Sequence, residues 1–189
     1  MRITGGQFKG RRINAAKGDV SRPTTDRTRE SLFNILAHDK SLSLEGAKVI
    51  DCFAGSGALG FEAISRGAAS CLFIEQDASA RGAIRNNIEA LGLFGVTRIQ
   101  RRSALALGKL PANAGGPFNL AFLDPPYRKD FAPRAMQSLV QGGWLEEEAM
   151  IIVEQAKDED AIDLPNFKIR DHRTYGDTRI SFFIYHINE

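Results

Sequence analysis

The sequence predicts an α/β fold: a mostly parallel sheet with helices on both faces, an antiparallel hairpin at its C-terminal end and a small basic hairpin at its N-terminus. Three observations predict it. Unbroken apolar runs ("AKVIDCF", "SCLFIEQ", "FNLAFLD") alternate with helix-like segments, the pattern of strands buried on both faces of a parallel sheet. A glycine-rich turn, "GSGALG", joins the first of these strands to its helix. The last two strand-like runs flank "YGDT" with no helix between them, so they pair as a hairpin.

The elements follow in order. The first twenty residues carry two glycine punctuations, "TGGQ" and "FKGRR", and are read as a short hairpin. "RPTTDRTRESLFNIL" starts a helix after Pro23, capped by Thr25 or Asp26, with Leu32, Phe33, Ile35 and Leu36 on one face. "AKVIDCF" is the first strand, and the helix after the glycine turn closes at Gly67. "SCLFIEQ" is the second strand, followed by a helix capped by Asp77. "VTRIQ" is the third strand, and "SALALGKL" a short helix. "FNLAFLD" precedes a helix within "FAPRAMQSLVQGG", and "AMIIVEQ" is the fifth strand before the hairpin. No repeat or low-complexity segment interrupts this order. Residues 1–40 form a basic extension, and residues 41–189 the α/β domain.

A chain of 189 residues, 43% hydrophobic, suits one such domain with a small appendage. It has no apolar run of about eighteen residues, so no membrane-spanning helix is expected. "MRITGGQFKG" lacks the apolar core of a signal peptide. Cys52 and Cys71 sit in strand-like runs and read as buried thiols of a cytoplasmic protein rather than a disulfide. The scattered His38, His172 and His186 give no metal-ligand spacing, so no metal is expected. Residues 1–30 hold eight Lys/Arg and three acids, an excess of +5 in a chain of net charge +2. A basic arm on a near-neutral body points to a polyanion such as nucleic acid; the plainer reading is a solvated tail.

Two motifs carry chemistry. In "DCFAGSGALG", Gly55-x-Gly57-x-x-Gly60 lets the backbone turn tightly and a ligand approach closely. Glu75 ends the second strand, where a carboxylate can accept both hydroxyls of a ribose. Asp51 would repel a pyrophosphate but favour the ammonium and sulfonium of S-adenosylmethionine (SAM), which separates this site from a dinucleotide site. The structural alternative is that Asp51 caps the following turn. Ser103 falls where the adenine would lie, but it equally suits a helix cap. The second motif is Asp124-Pro125-Pro126-Tyr127, at the end of the fourth strand. The prolines remove two N–H donors and stiffen the turn. A carboxylate and a carbonyl can then hold an exocyclic amine while the tyrosine ring stacks on its base. Asp124 could also take a proton from the amine. The structural alternative is a rigid loop with a capping Asp.

These motifs resemble the amino-methyltransferases of the class I SAM-dependent fold that carry an Asp/Asn-Pro-Pro-aromatic signature. "RPTTDRTRESLFNIL", "DCFAGSGALGFEAISRGA" and "FLDPPY", in that order and over nearly the whole chain, resemble the bacterial ribosomal RNA guanine-N2 methyltransferases of the small subunit. The early "GGQFKGRRI" resembles that family's basic hairpin. The resemblance implies a seven-stranded Rossmann-like sheet, SAM as cofactor and a guanine N2 of 16S RNA as target, free or in an assembling 30S particle. It implies cofactor contacts from Asp51, Phe53, Gly55, Gly57 and Glu75, with Ser103 departing from the acid often found at its position. Asp124, Pro125 and Tyr127 would hold the base, and Arg11, Arg12, Arg22 and Arg29 the RNA. Thr24, Thr25 and Asp26 share the N-terminal motif and stay open between RNA, cofactor and capping. A monomer is expected. The rivals are a DNA adenine-N6 or cytosine-N4 methyltransferase, for which the chain has no obvious target-recognition region, a small-molecule methyltransferase, disfavoured by the basic arm, and a non-catalytic RNA-binding assembly factor.

Overall fold

The fold is described from a computed structural model over residues 1–15, 25–39 and 42–187. Among the described residues, four α-helices and seven strands follow one another as α1 (Asp26–Ala37), β1 (Lys48–Cys52), α2 (Ala58–Ser65), β2 (Ser70–Ile74), α3 (Ala78–Leu91), β3 (Thr97–Gln100), β4 (Phe118–Leu123), α4 (Phe131–Gln141), β5 (Leu145–Ala156), β6 (Phe167–Tyr175) and β7 (Thr178–Tyr185). The strands form one sheet in the order β3-β2-β1-β4-β5-β7-β6. The first five pair in parallel, and β7 lies antiparallel between β5 and β6. The turn between β6 and β7 is the Gly176-Asp177 pair, with Gly176 at a φ of 60°. Thus the seven-stranded sheet and its C-terminal hairpin stand as expected. One element is smaller: "SALALGKL" yields only a single 3-10 turn, Ala104–Ala106. Strand β5 is longer than "AMIIVEQ", starting at Leu145.

Local signals account for the helix starts. Thr25 caps α1 by accepting from the Thr28 N–H at 3.1 Å. Asp77 caps α3 by accepting from Ala80 N–H at 2.8 Å. Apolar side chains cover both sheet faces. Phe33, Phe61, Phe73 and Phe122 pack on one, and Ile50, Leu72, Phe118 and Trp144 on the other. No helix among the described residues is long and apolar enough to cross a membrane.

The N-terminal segment folds back on itself, but it does not stand away from the body. Arg2 and Arg12 form an antiparallel bridge, and Ile3 N–H donates to the Arg11 carbonyl at 2.9 Å. Ile3 and Ile13 are buried in the same cluster as the sheet residues. Gly6, at a φ of 75°, lies so close to the Ser65 carbonyl that a Cβ would overlap it. The neighbouring Gln7 N–H donates to that carbonyl at 2.7 Å.

Glu62 of α2 anchors this docking. Its carboxylate is fully buried. It accepts from Thr4 N–H at 2.8 Å, Thr4 Oγ1 at 2.7 Å, Arg66 Nε at 2.8 Å and Arg29 Nε at 3.3 Å. Arg29 is itself fully buried, and it also donates to Asp26 at 2.8 Å and to the Arg2 carbonyl. This corrects the expectation that Arg29 binds RNA. Its charge is neutralised inside the protein and cannot reach a phosphate. The expectations for Arg22 and Thr24 fall outside the described residues.

Glu62→Ala takes a fully buried counter-charge from the buried Arg29 and should cost about 3–5 kcal/mol. Replacing both by apolar residues of similar volume should recover part of that loss. Urea unfolding of the three chains measures it; a Glu62→Ala loss below about 1 kcal/mol would refute the anchoring role.

Candidate active site

The parallel strands end together at one edge of the sheet, and the sequence motifs meet there. Cys52 of β1 pairs with Ile74 of β2 on one side and with Leu123 of β4 on the other. One residue further along each chain come Glu75, Phe53 and Asp124. Leu123 in turn pairs with Val153 of β5, so Glu154 extends the row. Glu75 and Asp124 are separated by two strand spacings, about 10 Å.

The glycine turn divides its work. Gly57, with a φ of 81°, starts α2, and a Cβ there would lie 2.7 Å from the Phe61 ring. A Cβ on Gly60 would overlap Phe73 and Cys71. These two glycines let α2 pack on β2. Gly55 differs: its φ is 55°, and a Cβ would meet nothing within 4 Å. Its face is open to a ligand. Phe53, before the turn, holds a φ of 61°, an uncommon conformation for an aromatic residue and one found at functional sites.

Glu75 joins the turn to the end of β2. One carboxylate oxygen accepts from Gly55 N–H at 2.9 Å and the other from Asp77 N–H at 2.8 Å. A carboxylate has about four acceptor positions, so each oxygen retains one for a ligand hydroxyl. Arg81 donates to the Glu75 carbonyl at 3.2 Å and steadies that strand end.

Asp51 is only 2% exposed, and its Oδ2 accepts from Gly60 N–H at 3.0 Å. Burial, opposed by that hydrogen bond and reinforced by the Glu75 charge, pushes its carboxyl up to about 8. Capping of the turn, the structural alternative for Asp51, is therefore present. Ser103 likewise caps, accepting from Leu105 N–H at 3.2 Å. At the end of β3, the buried Oε1 of Gln100 has no hydrogen-bond partner among the described residues.

At the end of β4, Asp124 is half-buried, Pro125 buried and Pro126 exposed. The Tyr127 hydroxyl donates to Glu154 at 2.6 Å and lies 2.9 Å from the Thr178 hydroxyl. Burial, then the bond to Glu154, raises its phenol well above the usual range. The ring is thus tethered to β5 and β7, which its sequence motif does not reveal. Arg11 and Arg12 are exposed, and Arg11 donates to the Ala90 carbonyl at the end of α3.

Two positioning residues went unnoticed in the sequence. Glu62 is one. The other is Asn87, 1% exposed, whose amide donates to the carbonyls of Ser56 and Asn14 at 3.1 Å and accepts from Asn14 N–H at 2.9 Å. It fastens the N-terminal arm to the glycine turn. Its signal is faint: an Asn on an apolar helix face, whose partner lies 73 residues away. No cluster among the described residues could hold a metal.

The chain matches a family model described as conserved hypothetical protein 95 over residues 1–184. It is 41% identical over 154 residues to ribosomal RNA small subunit methyltransferase D of Escherichia coli K12, covering 82% of this chain and 74% of that one. The Haemophilus influenzae protein of the same name is 34% identical over 177 residues, with 93% and 89% covered. The solved structure "Putative methyltransferase yhhF from Escherichia coli" superposes with a TM-score of 0.83 at 34% identity over 98% of both chains. Sheet order, glycine turn and these matches agree that the chain belongs to the conserved hypothetical protein 95 family of methyltransferases, with ribosomal RNA small subunit methyltransferase D among its relatives.

Proposed function

We propose that this chain transfers a methyl group from SAM to the exocyclic N2 amine of a guanine in small-subunit ribosomal RNA. The observation that carries the reading is the single row placing Glu75, at the open glycine turn, two strands from Asp124. The residues fit SAM. The Gly55 face leaves room, Glu75 keeps acceptor positions for a ribose, and Gln100 offers an acceptor lacking a donor. Relatives named for small-subunit ribosomal RNA support the substrate. Incorporation of labelled methyl into small-subunit RNA or 30S particles, with mass spectrometry to locate it on guanine N2, tests the whole reading.

Bound SAM supplies an electrophilic methyl on a sulfonium. The protein's task is to present the amine. Asp124 and a carbonyl of the proline turn accept its two N–H bonds and aim its lone pair. Asp124 then takes the proton the amine loses. Tyr127, tethered by Glu154 and Thr178, offers its ring to the flipped base. Residues 1–40 act as the RNA-contacting extension, with Arg11 and Arg12 exposed for phosphates, and residues 41–189 as the catalytic body. On this reading the chain works in the cytoplasm, where ribosomal RNA is made and assembled, and it acts as a monomer.

Glu75→Ala should weaken SAM binding by about 1.5–3 kcal/mol, the scale of a hydrogen bond to a charged acceptor. Unchanged affinity by calorimetry would remove Glu75 from the site.

Asp51 gives the cofactor a pH signature. Its carboxyl holds a proton in the free chain up to about 8. An unfolded carboxylate ionises near 3.9, so the free fold loses stability as pH rises between these values. A cationic ligand nearby favours the ionised form and releases the proton. SAM affinity should therefore rise with pH until about 8 and then level off, with Asp51→Asn flattening the profile. A flat wild-type profile places the cofactor's positive charges away from Asp51.

Asp124→Ala should abolish most single-turnover methyl transfer while SAM still binds. Asp124→Asn keeps an acceptor but no charge. Partial activity would assign orientation as its main role, and near-complete loss would assign charge or proton removal. Tyr127→Phe keeps the ring but deletes the tether to Glu154, so it should lower stability by about 0.5–1.5 kcal/mol while transfer persists. Wild-type transfer by Asp124→Ala would make the turn structural.

A further inference from the structure

Beside the Asp124–Tyr127 turn lies a group of side chains that neither the cofactor site nor the arm uses. Phe131 opens α4, and its ring stacks on Phe53 of the glycine turn, with centroids 6.3 Å apart and planes inclined by 5°. Lys129 Nζ lies 5.9 Å from the Phe131 centroid, and the Arg134 guanidinium carbon lies 5.9 Å from the same centroid. Both cations are exposed, and neither forms an ion pair or hydrogen bond with a described residue.

The backbone that presents Lys129 is unusual. Arg128 and Asp130, on either side of it, hold φ values of 59° and 53°, a left-handed conformation that non-glycine residues rarely adopt. Arg128 fixes the loop. Its N–H donates to Glu159 at 2.9 Å, and its guanidinium grips the two Asp158 oxygens at 3.2 and 2.9 Å. Arg128 is thus occupied by acids, whereas Lys129 and Arg134 meet on one aromatic ring. An aromatic face orients a cation but leaves its N–H donors free for an anion.

We propose that Lys129 and Arg134, gathered on Phe131, form a phosphate clamp for the RNA backbone next to the nucleotide held by the Asp124–Tyr127 turn. This rests on the ribosomal RNA reading above. It answers an electrostatic problem within that reading. Glu75, Asp124 and Glu154 crowd the strand ends, so the edge that must receive the target base disfavours its phosphates. Two uncommitted cations beside that edge draw the backbone in while leaving the acids for the amine and the cofactor.

The test uses the full chain and a Lys129→Gln/Arg134→Gln double variant, which removes both charges but keeps polar, unbranched side chains. Binding to 30S particles and to a protein-free small-subunit RNA transcript is followed over a range of salt. Removing each phosphate contact should make the slope of log affinity against log salt shallower by about 0.7. SAM affinity should stay at the wild-type level, the KM for RNA should rise, and kcat should fall less than kcat/KM. Lys129→Arg, which keeps the charge, should retain the wild-type slope. A double variant with the wild-type salt slope overturns the clamp. So does loss of SAM binding in the double variant, because the patch would then act through Phe53 on the glycine turn. If the wild-type chain neither binds these RNAs nor methylates them, the ribosomal RNA reading itself fails and takes the clamp with it.

Discussion

A single buried carboxylate, Glu62, sets the shape of the side of this protein that carries the glycine turn. A charge removed from water requires partners, and leaving it unpaired costs several kcal/mol. Glu62 draws them from three separate parts of the chain: Thr4 from the N-terminal arm, Arg29 from α1 and Arg66 from the end of its own helix. Arm and helix are thereby fixed to α2, the helix that leaves the glycine turn. Asn87 adds a second fastening, from α3 to the arm and to Ser56 of the turn. The turn is therefore shaped from outside the sheet as well as by its glycines.

Within that frame, the acids at the strand ends differ in burial and in partners. Asp51 is hidden and holds its proton up to about 8, Glu75 spends half its acceptor capacity on backbone, and Glu154 secures Tyr127. The summed field at the strand ends attracts cations and repels phosphates. A sulfonium cofactor suits such an edge better than a dinucleotide does.

How much of this the sequence revealed depended on how local each signal was. Continuous apolar strands, Asp77 as a cap, the glycine turn and the Gly-Asp hairpin all depend on neighbouring residues and could be read directly, while the α1 cap was narrowed to Thr25 or Asp26 and is Thr25. Arg29 could not. It looks like one more cation in a basic segment, and only the fold brings it to Glu62, 33 residues on. Glu62 in turn looks like an ordinary surface acid, although Arg66 at i+4 was a visible partner. The tyrosine of the strand-end motif read as a stacking ring, while its hydroxyl bonds required knowing that β5 and β7 lie beside it. Ser103 was ambiguous in the sequence, and its bond to Leu105 shows the capping role.

The basic arm shows why a charge count is not a charge distribution. Its excess of +5 suggested a row of phosphate contacts. Arg29 is neutralised inside the protein, Arg2 lies 3.6 Å from Asp26, and Arg11 is drawn to a helix-end carbonyl. A buried ion pair presents almost no net field to a distant polyanion, whereas a cation at an exposed carbonyl keeps most of its own. Among the described residues, the exposed cations of the arm and α1 that meet no carboxylate are Lys9, Arg11, Arg12 and Arg27. A body that looked near-neutral in sequence places the exposed Lys129 and Arg134 beside the strand ends. For a protein that must admit a polyanion to a row of acids, where its positive charges stand matters more than how many it has.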